Sequence, residues 1–113
     1  AFIHELILFA EKGTPCMKGS NIFRFPGFSG GAKKTNGEMV HPTQKPVEVI
    51  EKLITDSTKE GDLVLDCFMG SGTTAVAAKK LNRNFIGYEI QERYIEIAKR
   101  RLMQVDLELT FKA

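Results

Sequence analysis

Apolar positions change their spacing several times along the chain, and each change marks an element. Residues 2–10 form an apolar run, interrupted at His4 and Glu5, that stops at Glu11-Lys12-Gly13. Its β-branched and aromatic side chains predict a buried strand within residues 1–13. Residues 14–45 hold no sustained period, are rich in glycine and include Pro15, Pro26 and Pro42, so they predict mainly irregular loop, with a short strand around 21–25. A connection this long exceeds the usual length in compact domains, where such loops tend to be functional or disordered. From Pro46 onward Val47, Ile50, Leu53 and Ile54 recur at helical spacing. The spacing predicts a helix from 46 to about 58, with Pro46 at its first position, where a missing amide hydrogen costs nothing.

After the turn at Gly61-Asp62, the continuous run Leu63-Val64-Leu65 reads as a strand covered on both faces, with Asp66 at its end. The loop Phe68-Met69-Gly70-Ser71-Gly72 then leads into an alanine-rich stretch, 74–81, that predicts a short helix stopped at Asn82. Phe85-Ile86-Gly87-Tyr88-Glu89 is the next strand. Over 91–103 Tyr94, Ile95, Ala98 and Leu102 line one helical face, while Glu92, Arg93, Glu96, Lys99 and Arg100 take the other. Leu107 and Leu109 predict a final strand. The organisation is a single partial domain over 1–113: a strand, a loop region, and a βαβ unit over 46–113 with a helix before and after it.

Composition narrows the class without deciding it. At 113 residues, 42% hydrophobic and 27% charged, the chain suits one modest globular domain. A net charge of +2 neither demands nor excludes a nucleic-acid partner. Cys16 and Cys67 stand far from any Cys-x-x-Cys or Cys/His cluster, so neither a disulfide framework nor a metal site is indicated, and a reducing, cytoplasmic setting is expected. No apolar run approaches the roughly 20 residues of a membrane span. The chain enters its first apolar run directly at Ala1, the expectation for a piece of a larger protein.

The chemistry concentrates in the βαβ unit. Ligands of such units bind at the carboxyl ends of the strands. Gly70 and Gly72 allow dihedrals and a close backbone approach that a side chain would block. The free amides that open the next helix can bind a carboxylate, and Ser71, Thr73 and Thr74 add hydroxyls. Glu89, 23 positions after Asp66, is placed to accept hydrogen bonds from both hydroxyls of a ribose. A nucleoside ligand is implied. A sharp strand-to-helix turn without a ligand is the bland alternative for Gly-x-Gly alone. A dinucleotide site is the rival, since Gly70-Ser71-Gly72-Thr73-Thr74-Ala75 satisfies Gly-x-Gly-x-x-Ala. Against it, Asp66 puts beside the ligand a carboxylate that would repel a pyrophosphate and suit a cationic amine or sulfonium.

The segment Asp66-Cys67-Phe68-Met69-Gly70-Ser71-Gly72-Thr73-Thr74 resembles the Asp-Pro-Phe-x-Gly-Ser-Gly-Thr-Thr motif of DNA amino-methyltransferases, which methylate adenine or cytosine on the exocyclic nitrogen. His41-Pro42-Thr43-Gln44-Lys45-Pro46 is similar to the segment ahead of that motif in the permuted β class. Gly87-Tyr88-Glu89 resembles the strand end beyond the motif, and His4-Glu5-Leu6-Ile7-Leu8 resembles a His-Glu-x-Ile-Leu strand. Cys67 departs from the motif's proline and alters loop stiffness more than ligand choice. The resemblance implies part of an α/β, Rossmann-like S-adenosylmethionine-dependent methyltransferase fold, a mostly parallel sheet flanked by helices. It implies that Phe68, Gly70, Ser71 and Gly72, with Thr73 beside them, meet the methionine end of S-adenosylmethionine, that Thr43 and Lys45 arrive from the preceding loop, that Asp66 favours the amino group, and that Glu89 takes the ribose.

The family's catalytic Asp-Pro-Pro-Tyr motif, which holds the flipped target base, has no counterpart here, because no two of the four prolines are adjacent. No catalytic residue is therefore assigned. The expectation is the cofactor-binding part of a site-specific DNA methyltransferase of the restriction-modification kind, inactive alone, with DNA as the substrate of the complete enzyme and an N-terminal catalytic part elsewhere. The alternative is a non-catalytic S-adenosylmethionine-binding subunit that complements a separate catalytic chain; a nicotinamide oxidoreductase is a distant third. An unpaired apolar sheet edge also predicts self-association. The basic, glycine-rich stretch at 28–34 reads as a solvated loop before it reads as a DNA contact.

Overall fold

The computed structural model describes residues 12–13, 34–35, 38–39 and 45–112. The strands expected over 2–10 and around 21–25 lie outside them. Within the stretch expected as loop, β1 (Lys34–Thr35) and β2 (Glu38–Met39) pair antiparallel, Lys34 opposite Met39 and Thr35 opposite Glu38. The intervening sequence Asn36-Gly37 is the strongest short-range hairpin signal a sequence offers.

The remaining elements are α1 (Val47–Ser57), β3 (Leu63–Asp66), α2 (Thr73–Lys80), β4 (Asn84–Gly87) and α3 (Glu92–Lys112). Pro46 precedes α1 as its N-cap, with an extended ψ of 137°, and so stands one residue before the helical position expected for it. α2 ends as its sequence indicates. Asn82 takes the left-handed conformation at φ 58°, and the amides of Asn82 and Arg83 close back onto the carbonyls of Lys79 and Ala78, at 3.2 and 2.8 Å.

β3 and β4 pair in parallel, from Leu63 opposite Asn84 to Asp66 opposite Gly87. α2 supplies the crossover and packs against both α1 and α3. Its alanines explain the fit. Ala77 and Ala78 are wholly buried, and with Ile54 they form a core against which Val47, Ile50, Val64, Leu81 and Phe85 pack. Small side chains on α2 let its neighbours approach closely enough to exclude water.

Two further expectations change. Residues 104–112 continue α3 rather than forming a strand. The alternation Val105-Asp106-Leu107-Glu108-Leu109 imitates strand period, yet no glycine or proline interrupts the helix after 103. Val105 falls on the same buried stripe as Tyr94 and Ala98, while Leu107 and Leu109 face solvent, and Asp106 pairs with Lys79 of α2 at 2.5 Å. Among the described residues β3, expected to be covered on both faces, is covered on one. Val64 and Phe85 face the helices, whereas Leu63 and Leu65, each 60% exposed, and Ile86 form an open apolar row. No helix among the described residues is long and apolar enough to cross a membrane.

The end of the unit opposite the glycine loop is fastened by Arg83. Its guanidinium donates to Thr58 Oγ1 at 3.0 Å, to the Thr58 carbonyl at 2.9 Å and to the Leu81 carbonyl at 2.6 Å, tying the exit of α1 to the exit of α2. Replacement by methionine, which keeps the stem and removes all three donors, is expected to destabilise the chain by about 1–3 kcal/mol. Urea denaturation of Arg83→Met beside the parent measures the change.

Candidate functional site

Because β3 and β4 run in parallel and end in register, the loops that leave them emerge at one edge, the position at which open α/β sheets hold ligands. The ladder continues past both strands: Tyr88 N–H donates to the Asp66 carbonyl at 3.0 Å, and Met69 N–H to the Tyr88 carbonyl at 2.9 Å. Asp66 turns its carboxylate onto the chain ahead of it, Oδ1 accepting from the Phe68 amide at 3.0 Å. This is the Asx turn that acidic residues at strand ends favour. Met69 lies over Gly87, where any Cβ would collide with its Sδ.

Glu89 closes the front of the loop. Oε2 accepts from the Gly70 amide at 2.9 Å and Oε1 from the Gln91 amide at 2.8 Å, so one carboxylate joins the glycine loop to the start of α3. Hydrogen bonds to an ionised acceptor are roughly twice as strong as neutral ones. A carboxylate is an acceptor only, the kind of group that a ribose hydroxyl can donate to.

The back of the loop is held differently. Gly70 and Gly72 sit at φ 54° and 82°, a region that L side chains rarely enter. Gly72 caps α2, and a Cβ on it would stand 2.6 Å from Ala98 Cβ, so loop and α3 meet where no side chain intervenes. Ser71 and Thr73 are buried. Arg101 of α3 donates from Nη1 to the Ser71 carbonyl at 2.7 Å and to Ser71 Oγ and Thr73 Oγ1, both at 3.2 Å. Burial lowers the Arg101 guanidinium below its ordinary value, yet an arginine keeps its charge near neutral pH.

In front of the loop lies an open pocket of about 350 Å³ lined by Cys67, Phe68, Tyr88, Glu89 and Ile90. Phe68 and Ile90 are 92% and 95% exposed, so the pocket offers apolar walls with a carboxylate set among them. A flat heterocycle with a hydroxylated sugar matches that combination.

Of the residues singled out from the sequence, Phe68 and Glu89 meet in this pocket, and Asp66, Gly70, Ser71, Gly72 and Thr73 form the adjoining loop. The hydroxyls of Ser71 and Thr73 engage Arg101. Lys45 is exposed just ahead of Pro46 and is not part of the pocket lining, and Thr43 lies outside the described residues. Sequence reasoning overlooked Tyr88, Ile90 and Arg101. The signal for Arg101 was its place at helical spacing on the stripe Tyr94, Ala98 and Val105, an arginine where an apolar residue belongs.

A family model described as DNA methylase, N6_N4_Mtase, matches residues 4–100. The type II methyltransferase M2.DpnII of Streptococcus pneumoniae is 56% identical over 62 residues, covering 55% of this chain and 23% of that protein. M1.MboII of Moraxella bovis, also a type II methyltransferase, is 50% identical over 78 residues, covering 66% of this chain and 30% of its own length. The solved complex of M1.HpyAVI with SAM is 49% identical with a TM-score of 0.56, covering 61% of this chain and 34% of that one. The chain thus spans between 23% and 34% of the length of these relatives. Its described residues take the α/β, Rossmann-like fold of the solved neighbour, parallel strands flanked by helices.

The Gly72 to Ala98 contact gives the site its first test. Gly72→Ala is expected to cost about 2–4 kcal/mol, from a left-handed dihedral and from overpacking together. With Ala98→Gly in the same chain the 2.6 Å collision is gone, and the dihedral part, about 1–2 kcal/mol, should remain beside a milder 3.2 Å approach to the Cα at 98. Denaturant titration of the four chains of that double-mutant cycle measures both parts.

Proposed function

Because the chain belongs to the N6_N4_Mtase DNA methylase family, we propose that it is the S-adenosylmethionine-binding part of an enzyme that methylates the exocyclic amino group of adenine or cytosine in DNA. The observation that carries the reading is Glu89. It stands in the wall of an apolar pocket while its carboxylate is fixed by two backbone amides, so the group that would meet a ribose is pre-oriented.

The remaining residues fit a methyl donor. S-adenosylmethionine supplies, when bound, an electrophilic methyl group on a cationic sulfur. The apolar walls formed by Phe68 and Ile90 suit its base, and Glu89 its sugar hydroxyls. The opening amides of α2, which have no intrahelical partners, suit the amino-acid carboxylate. Asp66 at the strand end favours the amino group, and the family resemblance assigns Thr43 and Lys45 to the same donor. All of these contacts serve the donor.

Holding the acceptor falls to the Asp-Pro-Pro-Tyr-type motif, which no residue here supplies. We therefore assign methyl transfer to this chain in company with a polypeptide part that carries the motif, and place that part against the open row Leu63, Leu65 and Ile86. A parallel strand is normally covered on both faces, and among the described residues none covers this row. A non-catalytic subunit that completes a separate catalytic chain would use the same face. Work on DNA places either form in the cytoplasm.

Calorimetric titration of the chain with S-adenosylmethionine tests the reading. Binding is expected, and Glu89→Ala should weaken it more than about tenfold by removing both a charged acceptor and the loop's front anchor. Preference for a nicotinamide dinucleotide over S-adenosylmethionine would sink the proposal. Labelled methyl transfer to DNA should be absent with the chain alone and appear once a polypeptide carrying the missing motif is added.

A further inference from the structure

We propose that Arg101 is a positioning residue of the donor site, holding the glycine loop from behind in the one conformation that receives the amino-acid end of the cofactor. The inference rests on the S-adenosylmethionine reading above. Its starting point is a misfit. Arg101 occupies the stripe of α3 that also carries Tyr94, Ala98 and Val105, all buried, and a long apolar side chain there would avoid the cost of desolvating a guanidinium. That cost is offset at one place only among the described residues, by the Ser71 carbonyl and the two hydroxyls of Ser71 and Thr73.

The loop requires such a fastening. With glycine at 70 and 72 its backbone has more freedom to lose than any other segment of the unit. Glu89 fixes only its front, through the Gly70 amide. Arg101 fixes residues 71 and 73, on either side of Gly72, and so determines the direction in which the first amides of α2 point. Its positive charge, set behind those amides and partly shielded from water, adds to the positive end of α2, where a carboxylate is expected to sit. Arg101 acts on the cofactor through the loop, without touching the ligand.

A ligand pair separates this role from a general contribution to stability. The full 113-residue chain is titrated calorimetrically with S-adenosylmethionine and with 5′-methylthioadenosine, which keeps the base, sugar and sulfur but lacks the amino-acid end. Arg101→Met is expected to weaken S-adenosylmethionine on the order of tenfold. It should leave methylthioadenosine within about twofold, since the pocket at Phe68, Glu89 and Ile90 is untouched. Arg101→Lys, which restores the charge on a shorter side chain that does not bring its nitrogen to the place of Nη1, should fall between parent and Met variant, and it carries the comparison if the Met variant does not fold. Equal weakening of both ligands, or of neither, overturns the proposal whatever happens to the melting temperature. Failure of the parent chain to bind either ligand overturns the donor-site reading and this inference with it.

Discussion

The missing side chain at Gly72 is the constraint on which the remaining geometry depends. The backbone there is left-handed and lies against Ala98, with no room for a methyl group between loop and helix. That approach sets how close α3 lies to the start of α2, and so whether a side chain one turn further along, at 101, can reach the carbonyl of Ser71. The alanines of α2 work in the same direction from its other contacts, letting α1 close over Ala77 and Ala78. Small residues thus fix the distances, and the larger ones fill what those distances leave.

Around this contact the loop is held by two opposite charges. Glu89 accepts amide hydrogens at the front, and Arg101 donates to oxygens at the back. Each charge meets backbone groups of the complementary polarity, so neither depends on the other as a partner. A ligand that adds donors to Glu89 and an anionic group near α2 would find both ends already oriented, and little of its binding energy would be consumed in ordering the loop. The glycines that make the loop possible also make it entropically costly, which is why two charged anchors serve so short a stretch of chain between 66 and 74.

Much of this was legible in the sequence, for identifiable reasons. The strands at 63–66 and 84–87 and the helices before and between them follow from apolar spacing and from the stops at Gly61 and Asn82, and the loop from its glycines. Glu89 was legible because a single acidic residue at a strand end has a defined geometric relation to the loop before it. Arg101 was not, since its partners are a carbonyl and two hydroxyls of a loop 28 and 30 positions away, and local spacing says only that it breaks a stripe. The far end of α3 was misread because residues 105–109 alternate like a strand. The arbiter was the burial of Val105 and the pairing of Asp106 with Lys79 of α2, tertiary effects that period alone does not contain. The exposure of Leu63 and Leu65 was equally hidden, because an apolar run states what a strand prefers to touch and not whether the partner is present.

That open face bears on the site itself. The row Leu63, Leu65 and Ile86 lies one step along β4 from Tyr88, and Tyr88 lines the pocket beside Glu89. On the proposed reading, a polypeptide that covers the row ends against the wall of the donor pocket, and the two binding events share Tyr88. Linkage then requires that whatever the cover does to cofactor affinity, the cofactor does equally to the affinity of the cover. The sign of that coupling is set by what each of the two does to Tyr88, which is 61% exposed. The separation of the two halves of the reaction along the chain is compatible with their joint control for that reason: the residue at which the sheet face ends is the residue at which the pocket begins.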